Sequence, residues 1–131
     1  MRRAFLITAC LVALPLVAAA QTYTASLTAD AVVPTPGPAG ATGFATVSFS
    51  GTDAAYSILV SGVGGLTAAH IHEGAEGASG PVVVDFAATF TGGSASGSVA
   101  VDAEMVAAIV SDPAGYYVQV HSSEFPAGAV R

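Results

Sequence analysis

The chain has 131 residues, 53% of them hydrophobic and only 9% charged, with a formal net charge of −6. Lysine is absent, and after Arg2 and Arg3 only Arg131 opposes nine acids, so the chain repels nucleic-acid phosphates and anionic headgroups and favours cations. The single cysteine, Cys10, excludes a disulfide framework and leaves packing to hold the domain.

Met1-Arg2-Arg3 is followed by an uncharged apolar run from Ala4 to Ala20, ending in Ala18-Ala19-Ala20 before Gln21. A basic start, an apolar centre and a small-residue end predict a secretory signal peptide over 1–20. The run is slightly short for a bilayer span of roughly 20 residues, so cleavage after Ala20 is favoured over the alternative of an uncleaved anchor, and the mature chain, 21–131, is then expected to carry no membrane span. Cys10 sits in Ile7-Thr8-Ala9-Cys10, a lipobox-like string, but in the middle of the apolar run rather than at its close. Lipoprotein anchoring is not the favoured reading. The expected location is secreted, or periplasmic within the cell envelope.

The remainder is dominated by Ala, Val, Gly, Ser and Thr in short alternating runs broken by Gly, Pro and Asp, which predicts an antiparallel all-β domain. Tyr23, Ala25, Leu27 and Ala29 alternate with hydroxyl residues in a first strand. Three prolines, Pro34, Pro36 and Pro38, make the next stretch a loop. Gly43–Phe49 and Ala55–Ser61 read as strands joined by a turn over Ser50–Asp53, with Tyr56, Ile58 and Val60 on one face and Leu59 on the other. A strand containing His70, a glycine-rich loop from Gly74 to Gly80 and a strand Val82–Phe86 follow. Ser94–Gly97 reads as a turn before Ser98–Val101. Asp102–Ser111 breaks the pattern: an N-cap residue, an acid in the first turn and Met105, Ala108 and Ile109 at helical spacing predict one short helix ending before Pro113. Gly115–His121 is a strand, and Gly128–Arg131 only begins another.

The chemistry-bearing residues lie in two of these strands. His70 and His72 are one residue apart, so in a strand both rings leave the same face, roughly 6.5–7 Å apart along the backbone. His121 shares its face with Tyr117 and Gln119. If the two strands are neighbours, all three imidazoles converge in a set that suits copper or zinc. Glu73, Glu124 and Tyr117 are candidates to support the rings, and Glu124 also to complete the ligand set. The competing reading is structural, each ring bonded to a backbone carbonyl or a carboxylate. Asp53, Asp85, Asp102 and Asp112 read as turn or capping residues. The Gly74–Gly80 loop lacks the lysine and following helix of a phosphate cradle, and no serine stands in a nucleophile elbow.

Ala69-His70-Ile71-His72-Glu73-Gly74 with Gly80-Pro81-Val82-Val83, and Tyr116-Tyr117-Val118-Gln119-Val120-His121 with Pro126–Arg131, resemble the CHRD domain family, a module first described in chordin and found in short exported bacterial proteins. A weaker likeness runs through Tyr23–Leu27, Val33-Pro34 and Gly43-Phe44-Ala45. Two departures stand out: Ala31-Val32-Val33-Pro34-Thr35 replaces an acid, valine and two prolines, and the Gly-Gln-Leu-like strand end usual after the last arginine is not in the sequence, so the final strand is expected either to be shortened or to run on beyond the sequence given. The resemblance implies a Greek-key β-sandwich, immunoglobulin-like or superoxide-dismutase-like, extending over 21–131. His70-Ile71-His72-Glu73 and His121 are also locally similar to the copper motif of Cu/Zn superoxide dismutases, whose bridging histidine, zinc ligands, cysteines and guiding arginine have no counterpart here. Three functional readings follow. They are a metal-binding module, with copper favoured over zinc; a non-enzymatic extracellular module for a protein or glycan partner; and, more weakly, a copper-dependent redox enzyme.

Overall fold

The computed structural model describes residues 19–131, so most of the proposed signal segment, with Cys10, lies outside the described residues. Seven strands and one α-helix follow in order: β1 (Gln21–Thr28), β2 (Thr42–Ser50), β3 (Asp53–Ser61), β4 (Leu66–Glu73), β5 (Val82–Asp85), β6 (Ser94–Ala100), α1 (Ala103–Ser111) and β7 (Tyr116–Ser122), with a 3₁₀ turn Pro113–Gly115 before β7. They form two antiparallel sheets, β1-β2-β3-β6 and β5-β4-β7. The chain crosses to the small sheet after β3, returns after β5 to pair β6 with β3, and crosses again through α1 to place β7 beside β4. The result is an all-β sandwich with one short helix, as the alternating pattern predicts. No helix among the described residues is long and apolar enough to cross a membrane.

Alternation decides which face is buried. In β3, Ala54, Tyr56, Ile58 and Val60 enter the core while Asp53, Ala55, Ser57, Leu59 and Ser61 stay exposed. Leu27, Ala45, Val47 and Phe49 extend this layer from β1 and β2, and Ala69, Ile71, Val84, Val118 and Val120 meet it from the small sheet. Phe86 packs against Tyr56 with ring centroids 4.7 Å apart and planes inclined at 36°. The helix covers an end of the core through Ile109, with Met105 and Val106 packed beside it.

Two local expectations need correction. Ser94–Gly97 is the first half of β6, not a turn, with Ala95 buried opposite Ile58 and Gly97 opposite Tyr56. Its small residues are required by packing, because a Cβ at Gly97 would lie 2.9 Å from the Tyr56 hydroxyl. The reversal comes earlier, at Gly92 and Gly93, whose φ angles of 59° and 83° suit a tight hairpin. Asp102 precedes α1 but makes no side-chain cap; its backbone carbonyl accepts from Val106 N–H instead.

The face assignment in β3 is directly measurable. Ile58→Ala should cost about 2–5 kcal/mol of unfolding free energy, because it opens a cavity in a packed core. Leu59→Ala, one residue along and 58% exposed, should stay within about 0.5 kcal/mol. Urea denaturation of both variants checks the pair.

Candidate metal centre

The site is built on the ladder between β4 and β7. In its register His70 lies opposite Gln119, His72 opposite Tyr117 and Ala68 opposite His121. Ala69, Ile71, Val118 and Val120 point inward, so His70, His72, Tyr117, Gln119 and His121 share the outer face of the small sheet. That face would meet water if the sheet were bare. It is roofed instead by the loop after β4 and by the segment after β7, leaving His72 only 7% and His121 9% exposed. β7 is consequently covered on both faces over most of its length.

His70 Nδ1 and His121 Nε2 are 3.1 Å apart. One nitrogen from each of the three histidines can be chosen so that all lie within 4.8 Å of one another. The other ring nitrogens show which atoms are free. His72 Nδ1 donates to the Gly80 carbonyl at 2.9 Å, and His121 Nδ1 donates to the Pro126 carbonyl at 2.9 Å. A carbonyl only accepts, so both Nδ1 atoms carry the hydrogen and both neutral rings present a bare Nε2. His121 Nε2 therefore accepts from His70 Nδ1–H. His72 Nε2 is buried and has no hydrogen-bond partner, a position that costs desolvation without return.

Three imidazole nitrogens form a set that zinc and copper accept, at metal–nitrogen distances of about 2.0–2.1 Å. Donors at that distance in a tetrahedral arrangement are about 3.3 Å apart, close to the 3.1 Å of the His70–His121 pair. The two carbonyl anchors fix the tautomers that leave Nε2 of His72 and His121 as donors, as partners of a metal-bound histidine do. The three histidines can hold one ion.

The roof is fastened to the same rings. Gly80 receives the His72 hydrogen bond on its carbonyl, and its N–H donates to the Tyr117 hydroxyl at 3.1 Å. Only glycine fits there, since a Cβ would run into the carbonyl oxygen of Glu73. Tyr117 stacks on His72 at 5.0 Å between centroids and 10° between planes. Its opposite face carries the Arg131 guanidinium, 3.4 Å from the ring centroid. Arg131 in turn donates to the carbonyls of Ala78 and Ala75 at 2.7 and 2.9 Å, holding the loop down. Gln119 Nε2 donates to Ala127 O at 2.7 Å and holds the tail.

The structure thus places Tyr117 against His72. Glu73 and Glu124 are exposed, and among the described residues neither carboxylate makes a hydrogen bond or ion pair with a histidine. The acid that approaches is Asp85, with Oδ1 3.7 Å from His70 Nε2 and itself accepting from Ala87 N–H at 2.8 Å. The bond from Ala87 N–H is the turn role expected of Asp85, and the approach to His70 is additional to it. The relation of Asp85 to His70 follows from the β4–β5 register, which sets the two residues opposite each other. Gly80, Pro126 and Arg131 belong to the stretches that carry the family resemblance, but nothing in the sequence points to their contacts here, Gly80 and Pro126 acting through backbone carbonyls that any residue can supply.

Burial lowers the pKa of His70, with Asp85 raising it in part and His72 lowering it further. Burial also lowers that of His121, opposed by its bond to Pro126 O and reinforced by His70 and His72. Groups whose native pKa is depressed below the ordinary value near 6.5 are more protonated in the unfolded chain, so stability rises with pH in that interval. The metal-free protein should therefore lose stability as pH falls through about 6.5 toward the lower native values. Denaturant midpoints at pH 7.5 and pH 5.5, in buffers of about equal ionic strength, should show the fall. His121→Gln should make it smaller.

No curated protein matches the chain, and no solved structure does. The model of the CHRD domain matches residues 23–131, taking in both histidine strands, the loop that roofs them and the tail through Arg131. On that coverage, the chain belongs to the CHRD domain family.

Proposed function

We propose that this is an exported protein that binds one metal ion, copper ahead of zinc, through His70 Nδ1, His72 Nε2 and His121 Nε2. The observation that carries the reading is the buried, unpartnered Nε2 of His72 beside the paired donors of His70 and His121. Binding an ion there gives that lone pair a partner and replaces the His70–His121 hydrogen bond, the His70 hydrogen passing from Nδ1 to Nε2, on the side of Asp85. Copper is placed first because divalent copper outranks zinc at a given nitrogen site. Asp85 would orient His70, Gly80 and Pro126 would orient His72 and His121, and Tyr117 would hold His72 by stacking. The acidic chain favours cation capture. Three protein ligands leave room for a further one, the requirement for turnover of a substrate bound at the ion.

Export rests on Met1–Ala20, and the processed protein is expected to begin at Gln21. The second reading, a module for an extracellular protein or glycan with structural histidines, is favoured by the two Nδ1–carbonyl bonds that already pin the roof.

The readings part on stoichiometry. Tag-free protein titrated with Cu(II) and with Zn(II) should take up about one equivalent, the number of three-histidine clusters, with copper displacing zinc. His70→Ala and His121→Ala should each abolish tight uptake while the circular dichroism of the sandwich persists. Absence of stoichiometric uptake in the parent protein, with the variants merely less stable, would make the histidines structural pins. Mass spectrometry of exported protein tests the Gln21 start.

A further inference from the structure

Burial and charge around the three histidines bear on which oxidation state of copper they hold, an inference that rests on the metal-binding reading above. Each donor is a neutral imidazole, and no fourth donor from a cysteine, histidine or carboxylate joins them among the described residues. Asp85 is not a ligand, because it faces Nε2 of His70, whereas Nδ1 is the nitrogen that meets His121. An ion at the cluster therefore receives no negative charge from its ligands. It also lies beside His72 and His121, both buried beneath the loop after β4 and the segment after β7. Withdrawing an ion from water costs free energy that rises as the square of its charge. The penalty for a divalent ion is thus about four times that for a monovalent one.

A cation stands behind one of the ligands. The Arg131 guanidinium lies against one face of Tyr117, and His72 stacks on the other. Arg131 is 8% exposed, and its side chain donates only to the neutral carbonyls of Ala75 and Ala78. Among the described residues no carboxylate pairs with it. Its charge is therefore uncancelled and poorly screened, and it repels a divalent ion twice as strongly as a monovalent one. The opposing charge is Asp85, 3.7 Å from His70 Nε2. The Asp85 side chain is 65% exposed, so water weakens its pull on the ion. The buried cation prevails.

We propose that the three-histidine site selects copper in its monovalent state, with Arg131 strengthening that preference from behind Tyr117 and His72 and Asp85 moderating it from the side of His70. The number of donors points the same way. Cu(I) has a filled d shell that imposes no geometry, so three imidazoles satisfy it, whereas divalent copper favours a tetragonal set of four or more. Zinc, which is divalent and cannot shed charge, is disfavoured by the same cation. Arg131 touches no ligand atom of the ion; it acts through its field alone.

The test measures dissociation constants of the tag-free protein for Cu(I), Cu(II) and Zn(II) by competition with chromogenic chelators, the Cu(I) series kept anaerobic with ascorbate. Cu(I) should bind at least about tenfold more tightly than Cu(II), which places the bound couple at least about 59 mV above that of the aqueous ion. Arg131→Gln should lower the ratio of the Cu(II) to the Cu(I) constant at least about threefold. Arg131→Lys keeps the charge and should stay nearer the parent, and Asp85→Asn should raise the ratio. A loosened roof weakens both states alike and leaves the ratio unmoved, so the ratio separates charge from packing. Asp85→Asn, at an exposed position, keeps the test decisive should Arg131→Gln fold poorly. Cu(II) bound as tightly as Cu(I), or a ratio indifferent to both neutralisations, would overturn the proposal and leave the three-histidine site standing. Failure to take up any of the three ions would overturn that site and the proposal with it.

Discussion

The register of β4 against β7 is the constraint from which the rest of the site descends. It sets His121 diagonally across from His70 and leaves Tyr117 directly across from His72. A slip of one residue would exchange the faces, sending the imidazoles into the core and Ile71, Val118 and Val120 into the roof. The apolar set of these two strands therefore fixes the polar set behind it. Core packing, rather than any attraction among the histidines, brings the three rings together. The irregularity between Leu66 and Ala68 falls at the start of this ladder, and that between Ile71 and His72 lies on the β5 side, so neither changes that assignment.

A sheet face bearing histidines could have remained wet, and here it does not. The loop after β4 and the tail cover it with backbone, and their carbonyls bond the ring nitrogens and the guanidinium beneath. Each neutral acceptor selects a tautomer without adding charge. The one carboxylate close to a ring, Asp85, stands at the more open edge beside His70 and remains largely exposed. The cluster is thus dry around His72 and His121 and approachable at His70, a division suited to an ion that enters from one side.

Much of this was legible in the chain. Alternation in Tyr56–Val60, Ala69–His72 and Val118–His121 specifies both the sandwich and the shared face of the histidines. What escaped was contact made through backbone atoms. Nothing about Pro126 or Gly80 as residue types announces a carbonyl aimed at an imidazole. Ser94–Gly97 misled because small residues serve turns and crowded strands alike, and only the Tyr56 ring opposite Gly97 tells the two apart. Asp85 was hidden for a related reason, since its partner is set by cross-strand register rather than by sequence distance. Glu73 and Glu124, adjacent to the histidine segments in sequence, are exposed on the surface.

The Arg131–Tyr117–His72 stack has a bearing on the surroundings in which the protein can work. Its cation is held by an aromatic face and by two neutral carbonyls, with no carboxylate in the bond. Mobile ions screen exposed charge pairs strongly and buried contacts of this kind far less. The fastening of the roof is accordingly far less sensitive to salt than a surface ion pair, so dilute and concentrated electrolyte alike would leave the histidines covered.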